Sequence, residues 1–445
     1  MTNMKTKNVR DLIADVVYQV MEEKKHSDTV LHQVLTQLKE ETMDRSRIKH
    51  EAYGVIEQCI LLDALIDHFS KTPVRKMKPW IRTALRIGAY EIRFMEQVPV
   101  SATCNEMVDL VSRHGYVSLK GFVNGVLRTL CREQDKVEFR DLAIQYSMPN
   151  HIVDLLCESY GRKSTKKILA SYLEAKPLTI RVNESRISVE KMRDILRKQG
   201  INVEAGYYVP QALNLAGGVR VEQLQGYAEG YFVVQDESSM LPVMCSGIEL
   251  DDTVMDLCAA PGGKTLQAAE YTGANGIVSS RDLTPYKVNK IQENVLRIGY
   301  ENVQCKVLDG TCPDPEWNNL ADVVIADVPC SGLGIIGRKP DIKYNITEEM
   351  MESLVDLQRQ IVTQAVAYMK PDGVMMYSTC TLNPAENKDQ VAWMVEHLGV
   401  TLESLDDYLP ETLRNTQTRD GMLQILPGIQ KSDGFFLARL KKSSK

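Results

Sequence analysis

Residues 253–264 have the sequence TVMDLCAAPGGK, and this stretch decides the fold. Its apolar first residues predict a short buried parallel strand, and residues 264–271 (KTLQAAEY) have the composition of a helix that stops at Gly273. Gly262 and Gly263 therefore lie between the carboxyl end of a strand and the amino end of a helix, where open α/β sheets bind their ligands. Because glycine has no Cβ and the helix terminus has unpaired N–H groups, this loop favours a carboxylate or a phosphate.

A nucleotide-binding P-loop is the competing interpretation of this stretch. Residues 263–265 could end such a loop, and residues 323–327 (VVIAD) could supply the magnesium-binding aspartate that those proteins carry. A P-loop also needs a glycine five residues before Gly263, where this chain has Cys258, and this chain has Pro261 inside the loop. The spacing therefore argues against a P-loop.

The nine residues 256–264 (DLCAAPGGK) resemble the S-adenosylmethionine-binding motif of the Nol/Nop/Sun family of RNA cytosine-C5 methyltransferases. Further signatures of that family follow in order, at residues 327–331 (DVPCS), 338–343 (RKPDIK), 378–381 (STCT) and 383–387 (NPAEN). The resemblance covers the chain from about residue 178 to its end. It implies that S-adenosylmethionine is the cofactor and that its binding residues are Cys258, Ala259, Ala260, Pro261, Gly262, Gly263, Lys264, Asp282, Asp309 and Asp327.

Strand and helix patterns alternate after the glycine loop. The alternation predicts a doubly wound parallel sheet, and the resemblance implies the α/β Rossmann-like fold of class I methyltransferases. By the same resemblance, Asp282 accepts the ribose hydroxyl groups and Asp309 lies near the adenine. The chain departs from its relatives at Arg281, where they more often have an apolar residue. Residues 434–440 (GFFLARL) resemble the antiparallel edge strand that closes these sheets.

Two cysteines follow neighbouring predicted strands, Cys330 in a Pro-Cys pair and Cys380 in a Thr-Cys pair. C5 of cytosine is a weak nucleophile, and addition of a thiolate to C6 activates it. By resemblance to the RNA enzymes, Cys380 is the nucleophile, Cys330 assists its release, and Asp327 hydrogen-bonds the cytosine. The target base must leave its stack to reach such a pocket, at a cost of roughly a few kcal/mol.

Three basic residues lie on the loop after the fourth predicted strand of this sheet: Arg338, Lys339 and Lys343. Their position suits contacts with the phosphates that flank the target base. We expect this loop to be mobile without RNA.

The amino-terminal part of the chain has helical periodicity throughout residues 8–133, which predicts a helical bundle. Residues 85–100 (LRIGAYEIRFMEQVPV) and 121–130 (GFVNGVLRTL) resemble the RNA-binding antitermination factor NusB. A bacterial branch of the methyltransferase family, which modifies 16S ribosomal RNA, carries such a bundle at its amino terminus. We therefore expect a NusB-like RNA-binding domain at 1–136, a connector with a small α/β RNA-contacting module at 137–230, and a methyltransferase domain at 231–445.

The charge distribution favours RNA binding by the amino-terminal part. Residues 1–200 have 33 Lys and Arg against 26 Asp and Glu, whereas residues 201–445 have 20 against 33. Six basic residues and no acidic residue lie between His68 and Tyr90, and phosphate contacts of this kind give salt-sensitive, sequence-independent affinity. The six basic residues are Lys71, Arg75, Lys76, Lys78, Arg82 and Arg86, and the first five are the candidate RNA-binding residues.

Composition excludes several other classes of protein. The ten cysteines form no Cys-x-x-Cys pair, so neither a metal site nor a disulfide scaffold is expected, and no stretch has the apolar length of a membrane span. We expect a cytoplasmic monomer that transfers a methyl group from S-adenosylmethionine to C5 of a cytidine in 16S ribosomal RNA. The alternatives are a non-catalytic RNA-binding assembly factor and an enzyme that acts on transfer RNA by the same chemistry.

Overall fold

A computed structural model describes residues 8–36, 38, 43–216 and 218–443. Contacts between residues divide the chain into two compact units. Unit 1 comprises Met1–Glu174 and Ile336–Ile346, and unit 2 comprises Ala175–Ile335 and Thr347–Lys445. Within the described residues, no helix is long and apolar enough to cross a membrane.

Unit 1 is a helical bundle, as the periodicity predicts. The helix starts follow local signals: the Asn8 side chain accepts a hydrogen bond from the Asp11 amide at 2.8 Å, and Pro79 is the first residue of its helix. One continuous apolar core joins the first seven helices. The helices are α1 (Val9–Met21), α2 (Ser27–Leu35), α3 (Met43–Glu57), α4 (Cys59–Phe69), α5 (Pro79–Phe94), α6 (Val100–Arg113), α7 (Lys120–Glu133), α8 (Leu142–Gln145) and α9 (Asn150–Tyr172).

Unit 1 extends beyond the predicted boundary at residue 136. Helices α8 and α9 belong to it, although the sequence suggested that they were part of a connector. A kink interrupts α9 at Gly161, whose φ of 75° lies outside the helical region.

Unit 2 begins with a small sheet of four antiparallel strands in the order β2-β3-β1-β4, covered by one helix. A strand at residues 178–182 and a helix whose start is capped by the Ser188 side chain form the small α/β module expected in this part of the chain. The fourth strand was assigned to the methyltransferase domain by sequence, but it pairs with β1, so this sheet continues past residue 230. The elements are β1 (Leu178–Val182), α10 (Val189–Lys198), β2 (Val203–Ala205), β3 (Ala212–Leu215) and β4 (Phe232–Val234).

The second sheet of unit 2 has eight strands, and its parallel part follows the order β9-β8-β5-β6-β7, which confirms the doubly wound α/β prediction. Its strands are β5 (Thr253–Leu257), β6 (Ile277–Asp282), β7 (Val303–Val307), β8 (Ala321–Asp327), β9 (Met369–Thr379), β10 (Val400–Leu402), β11 (Met422–Ile425) and β12 (Phe435–Lys442). The helices of this part are α11 (Glu237–Met244), α12 (Gly263–Thr272), α13 (Pro285–Ile298), α15 (Glu348–Tyr368), α16 (Lys388–His397) and α17 (Thr416–Arg419).

The carboxyl-terminal strand β12 is antiparallel, as expected, but it is not at the edge of the sheet. It pairs with β9 on one side and with β10 and β11 on the other. The short strand β10 is at the end of the order instead.

The chain leaves unit 2 after β8 and returns at Thr347. Between these points it contributes the segment Ile336–Ile346, with the short helix α14 (Ile342–Asn345), to unit 1. We call residues 336–346 the inserted segment. No feature of the sequence predicted this connection.

Candidate active site

The glycine loop joins β5 to α12 with a tightly constrained backbone. Gly262 is the residue before the helix and has a φ of 104°, which glycine adopts without strain. A Cβ at this position would lie 3.2 Å from Cγ2 of Ile291. The Ala260 amide donates a hydrogen bond to Oδ2 of Asp282 at 2.9 Å, so the loop is fixed to the carboxyl end of β6.

A cavity of about 160 Å³ lies against this loop. Seven of the ten predicted cofactor residues line it, whereas Gly262, Asp282 and Asp309 do not. Asp282 is buried and pairs with Lys287 at 3.0 Å, and exposed Asp309 accepts hydrogen bonds from Thr311. The predicted residues in the lining are Cys258, Ala259, Ala260, Pro261, Gly263, Lys264 and Asp327.

Sequence reasoning missed five residues of the cavity wall: Val234, Gln235, Asp236, Ser239 and Asp256. Asp256 stands inside the quoted motif, so its place in the motif was the available signal. Val234 ends β4 and the other three follow it, at the start of the predicted methyltransferase domain. Nothing in their spacing indicated a ligand.

Asp256 is a buried carboxyl group that is only partly satisfied. Its Oδ2 accepts a hydrogen bond from the Thr265 hydroxyl group at 2.5 Å, whereas Oδ1 has no partner among the described residues. Burial raises the pKa of this carboxyl group to about 7. A cationic group in the cavity would favour its ionised form.

Asp327, at the end of β8, is held on both oxygens. Lys264 Nζ lies 2.6 Å from Oδ2 and also 2.7 Å from the Ser239 hydroxyl oxygen. The Ser378 hydroxyl group donates to Oδ1 at 2.7 Å. These contacts fix the orientation of a carboxylate that lines the cavity.

The two candidate catalytic cysteines lie side by side. Strands β8 and β9 are parallel with Asp327 opposite Ser378, and the chains continue from there to Cys330 and Cys380. The two sulfur atoms are 3.4 Å apart, and both residues are half-buried. The hydrogen bond with Cys380, together with burial, raises the pKa of the Cys330 thiol well above its usual value, so Cys330 holds its proton at neutral pH.

The inserted segment does not have the arrangement that the sequence suggested. Lys343 is buried in unit 1, where its Nζ donates to the Glu57 carbonyl oxygen at 2.7 Å, and burial lowers its pKa to about 8. The prediction that Lys343 binds phosphate is therefore wrong, because its ammonium group is buried and already donates to a backbone carbonyl. The mobility of this loop without RNA stays a prediction. Lys339 is exposed and lies 3.2 Å from Asp28, and Arg338 is half-buried.

The basic stretch of unit 1 divides into exposed and paired residues. Arg82 donates to Glu22, and buried Arg86 forms two hydrogen bonds of 2.7 Å with Asp63. These two guanidinium groups are neutralised by acids of other helices and join those helices, so they are not available to phosphates. The other four candidates are exposed: Lys71, Arg75, Lys76 and Lys78.

Comparison with family models gives three matches along the chain. A model of the 16S rRNA methyltransferase RsmB/F matches residues 245–441, and a NusB family model matches residues 7–132. A model of the ferredoxin-like domain of RsmF/B-like methyltransferases matches residues 148–222. The helical bundle of unit 1 is thus NusB-like, as predicted.

Similar proteins cover almost the whole chain. A probable ribosomal RNA small subunit methyltransferase B of Bacillus subtilis is 33% identical over 448 residues, which are 99% of this chain and 100% of that protein. Its counterpart in Synechocystis is also 33% identical, over 90% of this chain and 92% of that protein. The crystal structure of PH0851 has a TM-score of 0.81 at 23% identity, covering 98% of this chain and 99% of its own. The structure of NSun6 from Pyrococcus horikoshii with SFG has a TM-score of 0.59 at 22% identity, covering 67% and 98%.

Proposed function

The chain belongs to the family of ribosomal RNA small subunit methyltransferases B, and from this premise we propose that it methylates C5 of a cytidine in 16S ribosomal RNA, with S-adenosylmethionine as the methyl donor. The methyl group is transferred while Cys380 is covalently bound to C6 of the same base. The observation that carries the proposal is the pair of sulfur atoms 3.4 Å apart, on the loops that follow two paired strands, one of which ends at a carboxylate that lines the cavity.

The cavity suits S-adenosylmethionine. The residues that would hold the cofactor are those of the loop 258–264 and Asp327; the resemblance adds Asp282 and Asp309, which do not line this cavity. Asp256 presents a buried oxygen without a partner among the described residues, which suits the positive charge of the cofactor. When bound, S-adenosylmethionine supplies an electrophilic methyl group on a positively charged sulfur.

Cys380 attacks in its thiolate form, after its thiol proton has passed to water. Its sulfur forms a bond to C6 of the cytosine, and the electrons of the C5–C6 double bond move toward C5, which then accepts the methyl group. Water then takes the C5 proton, and the electron pair left at C5 restores the double bond to C6 as the bond from sulfur to C6 breaks and returns the thiolate. Cys330, which holds a proton 3.4 Å away, assists this release.

Asp327 orients the base in this scheme. Lys264 and Ser378 hold its two oxygens, and a carboxylate oxygen has lone pairs for further donors. It can therefore accept a hydrogen bond from the amino group or from protonated N3 of cytosine. The bond to N3 favours the N3-protonated ring, which accepts sulfur at C6 more readily because the addition then leaves the ring neutral.

In this proposal, unit 1 also binds the RNA. The exposed residues Lys71, Arg75, Lys76 and Lys78 supply cations that no acidic residue adjoins in the sequence between His68 and Tyr90. Contacts from such residues hold phosphates without reading the base sequence. The choice of target nucleotide then depends on unit 2 and on the shape of the RNA.

Cysteine variants of the full-length chain test the proposal with 16S ribosomal RNA and methyl-labelled S-adenosylmethionine. Cys380→Ala should form neither 5-methylcytidine nor a covalent protein–RNA species, because the attacking thiolate is absent. Cys330→Ala should transfer the methyl group but release RNA slowly, leaving an adduct that survives a denaturing gel and disappears on ribonuclease treatment. Cys312→Ala changes an exposed cysteine and serves as the control.

Two outcomes would contradict the proposal. An adduct in Cys380→Ala and none in Cys330→Ala would reverse the roles of the two thiols. Binding of RNA without any labelled 5-methylcytidine from the unmodified chain would favour a non-catalytic assembly factor.

A further inference from the structure

Glu386 is a buried carboxylate that the proposed chemistry does not use. It has 0% exposure and lies in the turn Pro384–Glu386, between β9 and α16. Among the described residues, no lysine, arginine or histidine forms an ion pair with it. A buried charge without a counter-ion is costly unless hydrogen bonds compensate, so its partners reveal what it is for.

Four neutral donors surround the two oxygens of Glu386. Oε1 accepts from the Ser331 hydroxyl group at 2.5 Å and from the Asn383 amide group at 3.0 Å. Oε2 accepts from the Ser331 backbone N–H at 2.9 Å and from the Gln358 amide group at 3.0 Å. Ser331 follows Cys330 directly, so half of these bonds hold the loop that carries this cysteine.

The same network continues to the second cysteine. The hydroxyl oxygens of Ser331 and Thr381 are 2.6 Å apart, and Thr381 follows Cys380 directly. Because Ser331 has one hydroxyl hydrogen and donates it to Glu386, the hydrogen between the two hydroxyl groups comes from Thr381. A chain of two hydrogen bonds therefore runs from the Cys380 loop through the Cys330 loop to one carboxylate.

Further contacts brace this arrangement. The Gln358 amide group that donates to Glu386 also donates to the Pro329 carbonyl oxygen at 2.9 Å. The Tyr377 hydroxyl group donates to the Glu386 carbonyl oxygen at 2.6 Å. Every side chain of this network is nearly or fully buried, and such a fully satisfied buried network specifies one arrangement of its members.

We propose that Glu386 is the positioning residue of the cysteine pair: it holds the two thiols at the separation that lets Cys330 act on the bond that Cys380 forms. The inference rests on the proposed function and adds to it a residue that touches neither substrate nor cofactor. Its negative charge also contributes to the raised pKa of Cys330, after the hydrogen bond with Cys380 and burial.

Glu386→Gln tests this role, because the amide has the same shape but cannot accept at both positions. Turnover should fall by about tenfold to a hundredfold, the loss that a displacement approaching 1 Å causes. In a single turnover, the covalent adduct per methyl group transferred should rise, because release suffers more than attack. Ser331→Ala, which removes only the hydroxyl link, should change this ratio in the same direction. Glu396→Gln, at an exposed acid of α16, should match the unmodified chain.

Two results would overturn the inference while the unmodified chain works normally. One is unchanged turnover and adduct ratio in Glu386→Gln and Ser331→Ala. The other is an equal loss of methyl transfer and adduct together with a lower melting temperature, which indicates a purely structural role. Failure of the proposed function itself would differ from both, since the unmodified chain would then form no 5-methylcytidine and no adduct.

Discussion

Gly262 is the residue of the cofactor loop at which a side chain is least tolerable. Its φ of 104° is strained for any residue with a Cβ, and the added atom would press on Ile291 at 3.2 Å. Gly262→Ala should therefore weaken S-adenosylmethionine binding about tenfold or more, a change of roughly 1.4 kcal/mol, as measured by calorimetry. Gly125→Ala, where a Cβ meets no atom within 4 Å, is the matched control and should bind normally. Equal affinity in both variants would remove the cofactor assignment of this loop.

Asp256 gives the cofactor-free protein a specific pH dependence. Its pKa of about 7 lies above the usual aspartate value because burial disfavours the ionised form. The folded chain therefore binds this proton more tightly than the unfolded chain. The stability that the bound proton contributes is fully present below about pH 4 and is lost as the pH rises through about 7. Asp256→Asn mimics the protonated form. The melting temperature of this variant, relative to the unmodified chain, should thus rise between pH 5 and pH 8, and a constant difference would contradict the assignment.

Residues of the candidate site were predictable where the signal was local. Gly263 and Asp327 stand in contiguous motifs, and the strand ends near them follow from short apolar runs. The state of Lys343 was not predictable, because its partner Glu57 is 286 positions away in the chain. Arg82 was misjudged for the same reason, since the acid that neutralises it comes from the carboxyl end of α1.

At the scale of elements, the inserted segment behaves as part of the helical bundle. Asp341 accepts from the hydroxyl group of Ser27 at 2.6 Å and from its backbone N–H at 3.2 Å, at the start of α2. His26, the residue before that helix, provides no side-chain cap. Asp341 therefore supplies the cap, and a carboxylate at a helix amino terminus is favourable. The Tyr344 hydroxyl group adds a bond to the Ile56 carbonyl oxygen at 2.8 Å.

Substitution of Lys343 separates its structural role from phosphate binding. Lys343→Ala should destabilise the chain by about 1–3 kcal/mol in urea unfolding, because the buried side chain and the donor to the Glu57 carbonyl oxygen are both lost. RNA affinity of the folded variant should not change. Lys339→Ala, on the exposed part of the same segment, should leave stability within about 1 kcal/mol. Normal stability with weaker RNA binding in Lys343→Ala would restore the original prediction.

Element types and order followed from periodicity and turn residues, but pairing between elements did not. The helix at Pro285–Ile298 shows such local signals, since Thr284 caps its start and Gly299 follows its last residue. By contrast, β4 joined the small sheet and β12 took an internal position, because a strand's partners depend on the rest of the sheet rather than on its own residues.

At the scale of the whole molecule, the excess of basic over acidic residues in the first 200 residues should make RNA affinity sensitive to salt. The slope of the logarithm of affinity against the logarithm of salt concentration changes by about 0.7 for each phosphate contact with a single strand. In a variant with Lys71, Lys76 and Lys78 replaced by alanine, the magnitude of this slope should therefore be smaller by up to about 2. Lys388→Ala, in unit 2, is the control. An unchanged slope in the triple variant would exclude this stretch from the RNA interface.

The domain plan was predictable in kind, since composition and motifs distinguish a helical bundle from an α/β fold. The boundaries of the two compact units were not predictable. Unit 1 consists of two separate pieces of the chain, and residues 175–335 of unit 2 lie between them in the sequence. Such a discontinuous unit has no sequence signature: its second piece is too short to show a periodicity of its own.

The inserted segment has a consequence for how the protein is made. After residue 174 the ribosome must add the 161 residues 175–335 before it reaches the inserted segment. That segment contains Asp341, which caps α2, and the buried Lys343. At about 5–20 residues per second, this wait lasts about 8–32 s. Throughout that time the nascent amino-terminal bundle lacks its last piece, so we expect it to be a client of ribosome-associated chaperones until the segment emerges and closes it.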